Sequence, residues 1–363
     1  MIVLALNGGS STIKAACFKK TACFQPENDA LQRTGKWNLS RQGNDPGLSG
    51  LAHELPAAPD IIVHRIVHGG DHFASATRLT PEVLDALQTL IPLAPLHQPF
   101  NLDLIAAAQQ QWPAAQHIGC FDTGFHQTQS DLTRRYALPR AVHDRGIKRY
   151  GFHGLSYAYV SAALYKQRPD MRDKKIVIAH LGSGASACAI QHGNSIACSM
   201  GFSTLDGLVM GTRCGQLDPG IVLHLLREGM TIDTLEKLLY KESGLLGVSG
   251  ISADLRELLN HESVEAHDAV ALFASRCAEQ IAILATTMQG IDVLVFTGGI
   301  GEHQAETRAK IVTRLEWMGA QLDTDANQEN RYSISSANSQ IAICVIPTDE
   351  ELEMAQQALK IAE

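Results

Sequence analysis

The chain has 363 residues and a mass of 39.3 kDa, enough for two domains with buried cores. Apolar residues make up 45% and charged residues 19%, which excludes a wholly disordered chain. With 38 acidic and 30 basic residues the formal charge is -8, so the composition gives no support for general nucleic-acid or anionic-membrane binding; only a local basic cleft could supply it.

The chain opens on an apolar run, Ile2 to Leu6, that reads as a buried strand. Asn7 to Ser11 forms a polar, glycine-rich turn, and Thr12 to Phe18 returns as a second strand. Pro26 to Pro59 is rich in Gly, Pro, Asn and Ser and is assigned little structure. Strands are expected at Ile61 to Val67 and His117 to Phe121, and helices at Pro81 to Leu90, Leu102 to Gln111 and Ser156 to Gln167. A second strand–turn–strand unit comes after a charged connector, Arg168 to Lys175. Ile176 to Leu181 is apolar, Gly182 to Ser186 is the turn, and Ala187 to Ile190 resumes the strand. The turns at Gly8 and Gly182 begin about 174 residues apart, a hint of two halves of related architecture, with chance similarity as the alternative.

Helices are next expected at Pro219 to Arg227 and Ile232 to Lys241. A long helix should run from Val264 to Met288, where Val270, Phe273, Cys277, Ile281, Leu284 and Met288 recur at helical spacing and mark core or interface. Val293 to Phe296 leads into a third glycine-rich turn, Thr297 to Glu302, and a helix from about Gln304 to Met318. Ile341 to Ile346 reads as a strand. Asp349 to Ile361 reads as a terminal helix with Thr348 as its N-cap and Glu351 three residues later. No signal peptide is expected, because Lys14, Lys19 and Lys20 come after the first apolar run instead of preceding it. The eight cysteines form no CxxC pair, so reduced thiols in a cytoplasmic protein are the expectation.

Small residues in a hairpin turn let phosphate approach backbone N–H groups. Ser11 and Thr12 add hydroxyls, and Asn7 adds an amide that could orient a phosphate or a metal-bound water. A hairpin can also need glycine for geometry alone; three such turns, each after an apolar strand, point to a nucleotide. Neither GxxxxGK[ST] nor GxGxxG is present, which disfavours the P-loop and the dinucleotide fold. Arg65 and Arg213 stand beside polar, glycine-rich turns, and their planar forks suit a carboxylate or a transferring phosphoryl group; a structural ion pair is the alternative for each. Asp122 and Glu350 are candidate magnesium ligands, a metal that takes few hard oxygens and keeps several waters. Glu350 could equally favour a helix dipole, and Asp122 could cap the turn at Thr123 and Gly124. Of the 15 histidines, His153 and His180 stand out by context. No HExxH zinc motif and no GxSxG elbow occurs.

Taken together the chain resembles the acetate kinase family, which includes propionate and butyrate kinases and belongs with sugar kinases and actin. The likeness is carried by Leu6 to Lys14, His64 to Gly70, Pro92 to His97, Phe121 to Gln127, Tyr150 to Ser156, His180 to Ser186, Ser199 to Gly220, Thr297 to Glu302 and Pro347 to Leu352. The resemblance implies duplicated ribonuclease H-like, actin-like α/β domains with a central nucleotide cleft. The first would hold residues 1–148 completed by 349–363. The second, binding nucleotide, would hold 149–348. It also implies a homodimer, with neither nucleic acid nor membrane as partner.

By the same resemblance Arg65, Asp122, His153, His180 and Arg213 are catalytic. ATP or ADP would be met by Asn7, Ser11, Thr12, Lys14, Gly182, Ser183, Gly184, Asp254, Leu255, Arg256, Gly299, Ile300, Gly301 and His303. Val67, Leu96, Phe152 and Thr204 would line the pocket for the alkyl end of a short-chain carboxylate. Asn7, Asp122 and Glu350 would organise Mg2+. The implied reaction is attack of a carboxylate oxygen on the γ-phosphorus of ATP, giving an acyl phosphate, with acetate as the leading acceptor and propionate or another short-chain acid as the alternative. A phosphatase or a kinase for another acceptor within the superfamily is the more distant alternative. Ser183, Thr204 and His303 replace residues usual in the family, Asn, Pro and Asn in turn.

Overall fold

The computed structural model describes residues 1–9, 12–21, 31–40 and 47–362. Ser11 therefore lies outside the described residues. The chain divides into two compact units: residues 1–127, 154–159 and 349–363, and residues 128–153 and 160–348.

The first unit is built on a six-stranded sheet. Its strands are β1 (Ile2–Gly8), β2 (Thr12–Lys20), β3 (Leu31–Ser40), β4 (Ile61–Ile66), β5 (Thr77–Arg78) and β6 (Gln116–Phe121), in the order β3-β2-β1-β4-β6-β5. β1 pairs antiparallel with β2 and parallel with β4, which pairs parallel with β6. Strict alternation splits the core between the faces of the sheet. Val3, Ala5 and Val63 pack with Met354, Ala358 and Leu359 of the C-terminal helix Glu350–Ala362. Leu4, Leu6 and Ile62 pack with Leu104, Ala108 and Trp112 around the helix Gln98–Gln111.

The second unit repeats the pattern with β7 (Ile176–Leu181), β8 (Ala185–Gln191), β9 (Asn194–Cys198), β10 (Val293–Thr297) and β11 (Ala342–Val345), in the order β11-β10-β7-β8-β9. β7 pairs antiparallel with β8 and parallel with β10, as β1 does with β2 and β4. Both sheets thus share three antiparallel strands followed by two parallel ones, and the fold is a duplicated α/β architecture. The long helix Val264–Thr287 buries Val270, Phe273, Cys277, Ile281 and Leu284 and packs on β7, β8 and β9. It is the one described helix long and apolar enough to cross a membrane, and half of that apolar stretch is buried inside the protein.

Three expectations are corrected. The segment read as having little structure contains β3 and the helix Leu48–Glu54. In β3 alternate residues are exposed, and it pairs along β2 through backbone groups that side-chain patterning does not report. The third glycine-rich stretch is a helix, Gly298–His303, and the single helix expected from Gln304 to Met318 is split into Ala305–Thr313 and the short 3-10 turn Glu316–Met318. The C-terminal helix is capped by Asp349, whose Oδ1 accepts from the Leu352 N–H at 3.1 Å, while the Thr348 N–H donates to Glu302.

Candidate active site

In the first unit Asn7 is the penultimate residue of β1, Arg65 lies near the end of β4 and Asp122 directly succeeds β6. These strands are parallel neighbours, so their carboxyl ends gather at one sheet edge, where open α/β sheets place ligands. Arg65 Nε and Nη2 fork onto Asp122 at 3.0 and 2.6 Å, and Nη1 donates to Asn7 Oδ1 at 3.1 Å. The Asn7 amide then donates to Glu350 Oε2 and Glu351 Oε1, both at 2.8 Å. Lys36 Nζ stands 3.9 Å from Glu351. Asn7, Arg65, Asp122 and Glu350 are thus brought together, and Glu351, which the sequence marks only as a capping residue, completes the network.

Burial opposes the Arg65 charge, but Asp122, Glu350 and Glu351 outweigh it and raise the guanidinium pKa, keeping it fully charged. Asp122 is 1% exposed. Burial raises its carboxyl pKa, Arg65 pulls it back, and Glu350 pushes it up. Among the described residues its carboxylate is bound by Arg65, and at the adjoining turn Thr123 Oγ1 accepts from the Gly69 N–H at 2.9 Å. Among the described residues no group of three or more His, Cys, Asp or Glu side chains forms a ready-made metal centre.

Val67 is buried one residue beyond β4. Its N–H donates to Asn101 Oδ1 at 3.0 Å, and Gln98 Nε2 donates to the His68 carbonyl at 3.2 Å. The start of the helix Gln98–Gln111 thereby fixes this backbone. Leu96, expected in the same pocket, is 38% exposed. Thr12 and Lys14 are exposed on β2, the Thr12 carbonyl accepting from the Gly9 N–H at 2.9 Å.

In the second unit His153 takes a left-handed conformation, φ 58°, just before the helix Gly154–Gln167. Its ring stacks on His180 with centroids 4.4 Å apart and planes 23° apart, and its Nδ1 lies 2.8 Å from Ser186 Oγ. His180 and Ser186 are cross-strand partners on β7 and β8. A Cβ built on Gly184 would lie 3.4 Å from Arg213 Nη2 and 3.6 Å from His153 Nε2. Arg213, His153 and the Gly182–Ser183–Gly184 turn therefore share one location. Arg213 Nη1 donates to the Thr204 carbonyl at 2.8 Å, so Thr204 acts on the site through its backbone. Phe152, next to His153, is buried.

The turn carrying Arg213 is pinned from behind. Gly211 N–H donates to the Ser183 carbonyl at 3.0 Å, and Leu245 N–H to the Met210 carbonyl at 2.9 Å. At Gly244, φ +67°, a Cβ would fall 2.2 Å from the Met210 carbonyl oxygen, so only glycine fits. Gly211 also faces the Ala253 carbonyl, 3.1 Å from its virtual Cβ. That links the turn to Asp254, which caps the helix Leu255–Leu259 and pairs with Arg256 at the surface. Leu255 is buried. The helix Gly298–His303, with Gly299, Ile300 and Gly301, backs onto Leu181: a Cβ on Gly298 (φ +76°) would lie 2.7 Å from that carbonyl oxygen.

The acetokinase family model matches residues 52–356. The chain belongs to the acetokinase family. An acetate kinase of Methylocella silvestris is 48% identical over 316 residues, 86% of this chain and 78% of that one. A crystal structure of Porphyromonas gingivalis acetate kinase superposes with a TM-score of 0.86 at 35% identity, covering 100% of both chains. That of a propionate kinase from Francisella tularensis gives 0.88 at 33% identity, covering 98% of each.

Within this acetokinase, several supporting residues have no sequence signal of their own. Ser186 is one small residue in an apolar strand. Asn101 and Gln98 are buried amides at the start of a helix, legible only as polar residues out of place. Arg308 is fully buried and donates to the Gly301 and Glu302 carbonyls at 2.9 and 3.1 Å, holding the end of the short helix. Glu302 Oε1 accepts from the Gly298 and Thr348 N–H groups at 2.9 and 3.1 Å. His303, by contrast, is 71% exposed and reaches only to 3.9 Å from Glu302.

Proposed function

We propose that this chain is an acetate kinase that transfers the γ-phosphoryl group of ATP to acetate, reversibly, giving acetyl phosphate and ADP. Membership of the acetokinase family over residues 52–356 carries this reading, and the two arginine clusters give it chemistry. A carboxylate oxygen forms the new bond to phosphorus as the bond to the β-bridging oxygen breaks. The nucleophile is already anionic, so no strong base is required; positioning and neutralisation of charge on the equatorial oxygens are the demands. Arg65 and Arg213 supply guanidinium groups, and His153 and His180 supply ring N–H donors.

The nucleotide is assigned to the second unit, at Gly182 to Gly184, Asp254 to Arg256 and Gly299 to Gly301. Val67, Leu96, Phe152 and Thr204 are assigned to the acyl group. A single methylene is worth only ~1–3 kcal/mol of discrimination, and a propionate kinase is among the structural relatives, so propionate is the second acceptor to try.

Magnesium fits the Asp122–Glu350 region by charge. Asp122, Glu350 and Glu351 set three carboxylates against the Arg65 guanidinium. A hard divalent cation held by one or two carboxylates, with water and phosphate oxygens completing its shell, suits such a set. Asp122 and Glu350 would hold it, with Asn7 orienting a bound water. When bound, it would neutralise charge shared between the β- and γ-phosphate oxygens.

A homodimer is the proposed assembly. Ile221, Leu223 and Leu226 of the helix Pro219–Arg227, with Ile232, leave apolar side chains on the surface for a second copy to cover. The seven described cysteines are free thiols, in keeping with a cytoplasmic setting. The deciding experiment is a hydroxamate assay with ATP, magnesium and acetate, propionate or butyrate. Acyl hydroxamate with acetate is expected; no product with any of the three would end the reading.

A further inference from the structure

A strongly uneven charge distribution lies outside the residues given roles above. Residues 134–149 hold six basic side chains, Arg134, Arg135, Arg140, Arg145, Lys148 and Arg149, and one acidic side chain, Asp144, in a protein of formal charge -8. Arg135 pairs with Asp131 at 2.7 Å and Arg149 with Asp206 at 3.3 Å. Arg134 and Lys148 both lie over the Tyr150 ring, 5.5 and 5.9 Å from its centroid. Arg140 and Arg145 are exposed, and their side chains make no hydrogen bond or ion pair among the described residues. Two cations that stabilise nothing in the fold stand in a segment that is net positive.

The segment is attached to the site within its own unit. The Arg149 guanidinium donates to the Cys198 and Ser199 carbonyls, both at 3.1 Å. Tyr150 N–H donates to the Gly201 carbonyl at 2.9 Å, and Phe202 N–H to Tyr136 Oη at 3.0 Å. Residues 198–202 lead directly to Thr204, whose carbonyl holds Arg213. In the other direction the segment runs into His153.

Every reactant of a carboxylate kinase is an anion, and the net charge of the chain repels all of them. We propose that residues 134–149, through Arg140 and Arg145 above all, form an electrostatic guide that raises the rate at which phosphorylated substrates reach the site. This rests on the activity proposed above. A local positive field on an acidic protein raises encounter rates without touching the bound substrate. Its reach is about 30 Å in ~0.01 M salt and about 8 Å in ~0.15 M. The effect should therefore grow with substrate charge, larger for the nucleotide and the acyl phosphate than for acetate.

The test compares the wild type with Arg140→Glu/Arg145→Glu and with Lys174→Glu over a range of ionic strength. Lys174 is an exposed cation two residues before β7, at the end of that strand away from His180 and Gly182, and its reversal, which changes the net charge by half as much as the double variant does, tests for a general charge effect. Expected for the double variant is a loss in kcat/KM for nucleotide of roughly three- to tenfold at low salt, with kcat unchanged, vanishing at high salt. Lys174→Glu should match the wild type. Unchanged kcat/KM at low salt, a loss that persists at high salt, or an equal loss in Lys174→Glu would each overturn the proposal. An inactive wild type would instead remove the activity it rests on; an active wild type with an insensitive double variant removes the guide alone.

Discussion

Arg65 and Arg213 answer the same chemical description, a guanidinium beside a glycine-rich turn, but the two units hold them differently. Arg65 is bound to a buried carboxylate and lies in the field of two more. Arg213 is held by a backbone carbonyl beside an imidazole and a glycine. The first arrangement makes one arginine both a structural and a chemical group. The second rests on the fit of backbone turns behind the side chain, with Gly244 as the wedge. A guanidinium is thus held by charge pairing in one unit and by backbone packing in the other.

The largest expected effects separate these roles. Arg65→Ala and Arg213→Ala should each lower turnover by roughly 10²- to 10³-fold, the scale of removing one preorganised donor from a developing anion. Their stabilities should differ. Arg65→Ala leaves Asp122 buried without its counter-charge, a loss of about 3–5 kcal/mol. Arg213→Ala gives up at least the bond to the Thr204 carbonyl, about 1 kcal/mol. Coupled ADP release and urea denaturation on the same preparations measure both. Equal losses of stability would erase the distinction, and near-native turnover in both would remove the catalytic assignment.

Legibility in the amino-acid sequence divides along the same line. The parallel strands β1, β4, β6, β7, β10 and β11 are legible because buried parallel strands are continuous apolar runs, and the repeated hairpin at Gly8 and Gly182 does reflect matching sheets. Arg65 and Asp122 stand out as charged residues at the ends of apolar strands, and Glu350 as an acid in the first turn of a helix. The pairing among them, and the part played by Glu351, depends on which strands are neighbours, which no local window contains. β3 escapes notice because its exposed face carries polar residues and its stability comes from ladder bonds to β2. Helix Gly298–His303 reads as a turn because its glycines hide helical backbone, and the Leu181 carbonyl that demands glycine at 298 is distant in sequence.

A smaller effect sharpens the comparison through acid. In the first unit His64 and His117 stack with centroids 5.3 Å apart, with His64 Nε2 3.0 Å from His117 Nδ1. Burial lowers the pKa of both, and for His64 the neighbouring ring lowers it further. In the unfolded chain each titrates at its ordinary value near 6.5. Below that pH the unfolded state binds protons that the native state refuses, so stability falls as pH falls; above it the pair has no effect. The slope is about 1.4 kcal/mol per pH unit for each proton, or about 1–3 kcal/mol between pH ~7.5 and ~5.5, a window above the carboxylate range. Hydrogen exchange should show the loss first in β4 and β6, not in β7 and β10. His117→Leu should flatten the slope, whatever it does to absolute stability; an unchanged slope would assign acid sensitivity elsewhere.

The smallest effect concerns which nitrogen of His153 carries a proton. If Ser186 Oγ–H donates to Nδ1, the proton of the neutral ring sits on Nε2, the nitrogen facing Gly184 and Arg213. A donor aimed at a phosphoryl oxygen requires that tautomer. Ser186→Ala frees the ring to take the other tautomer at the cost of one hydrogen bond, about 0.5–1.5 kcal/mol, and kcat should fall by up to about tenfold. Because the loss lies in the position of the ring proton and not in packing, Ser186→Thr, which keeps the hydroxyl, should restore kcat. A drop in kcat that Ser186→Thr does not restore would mean that Ser186 only fills space behind the ring.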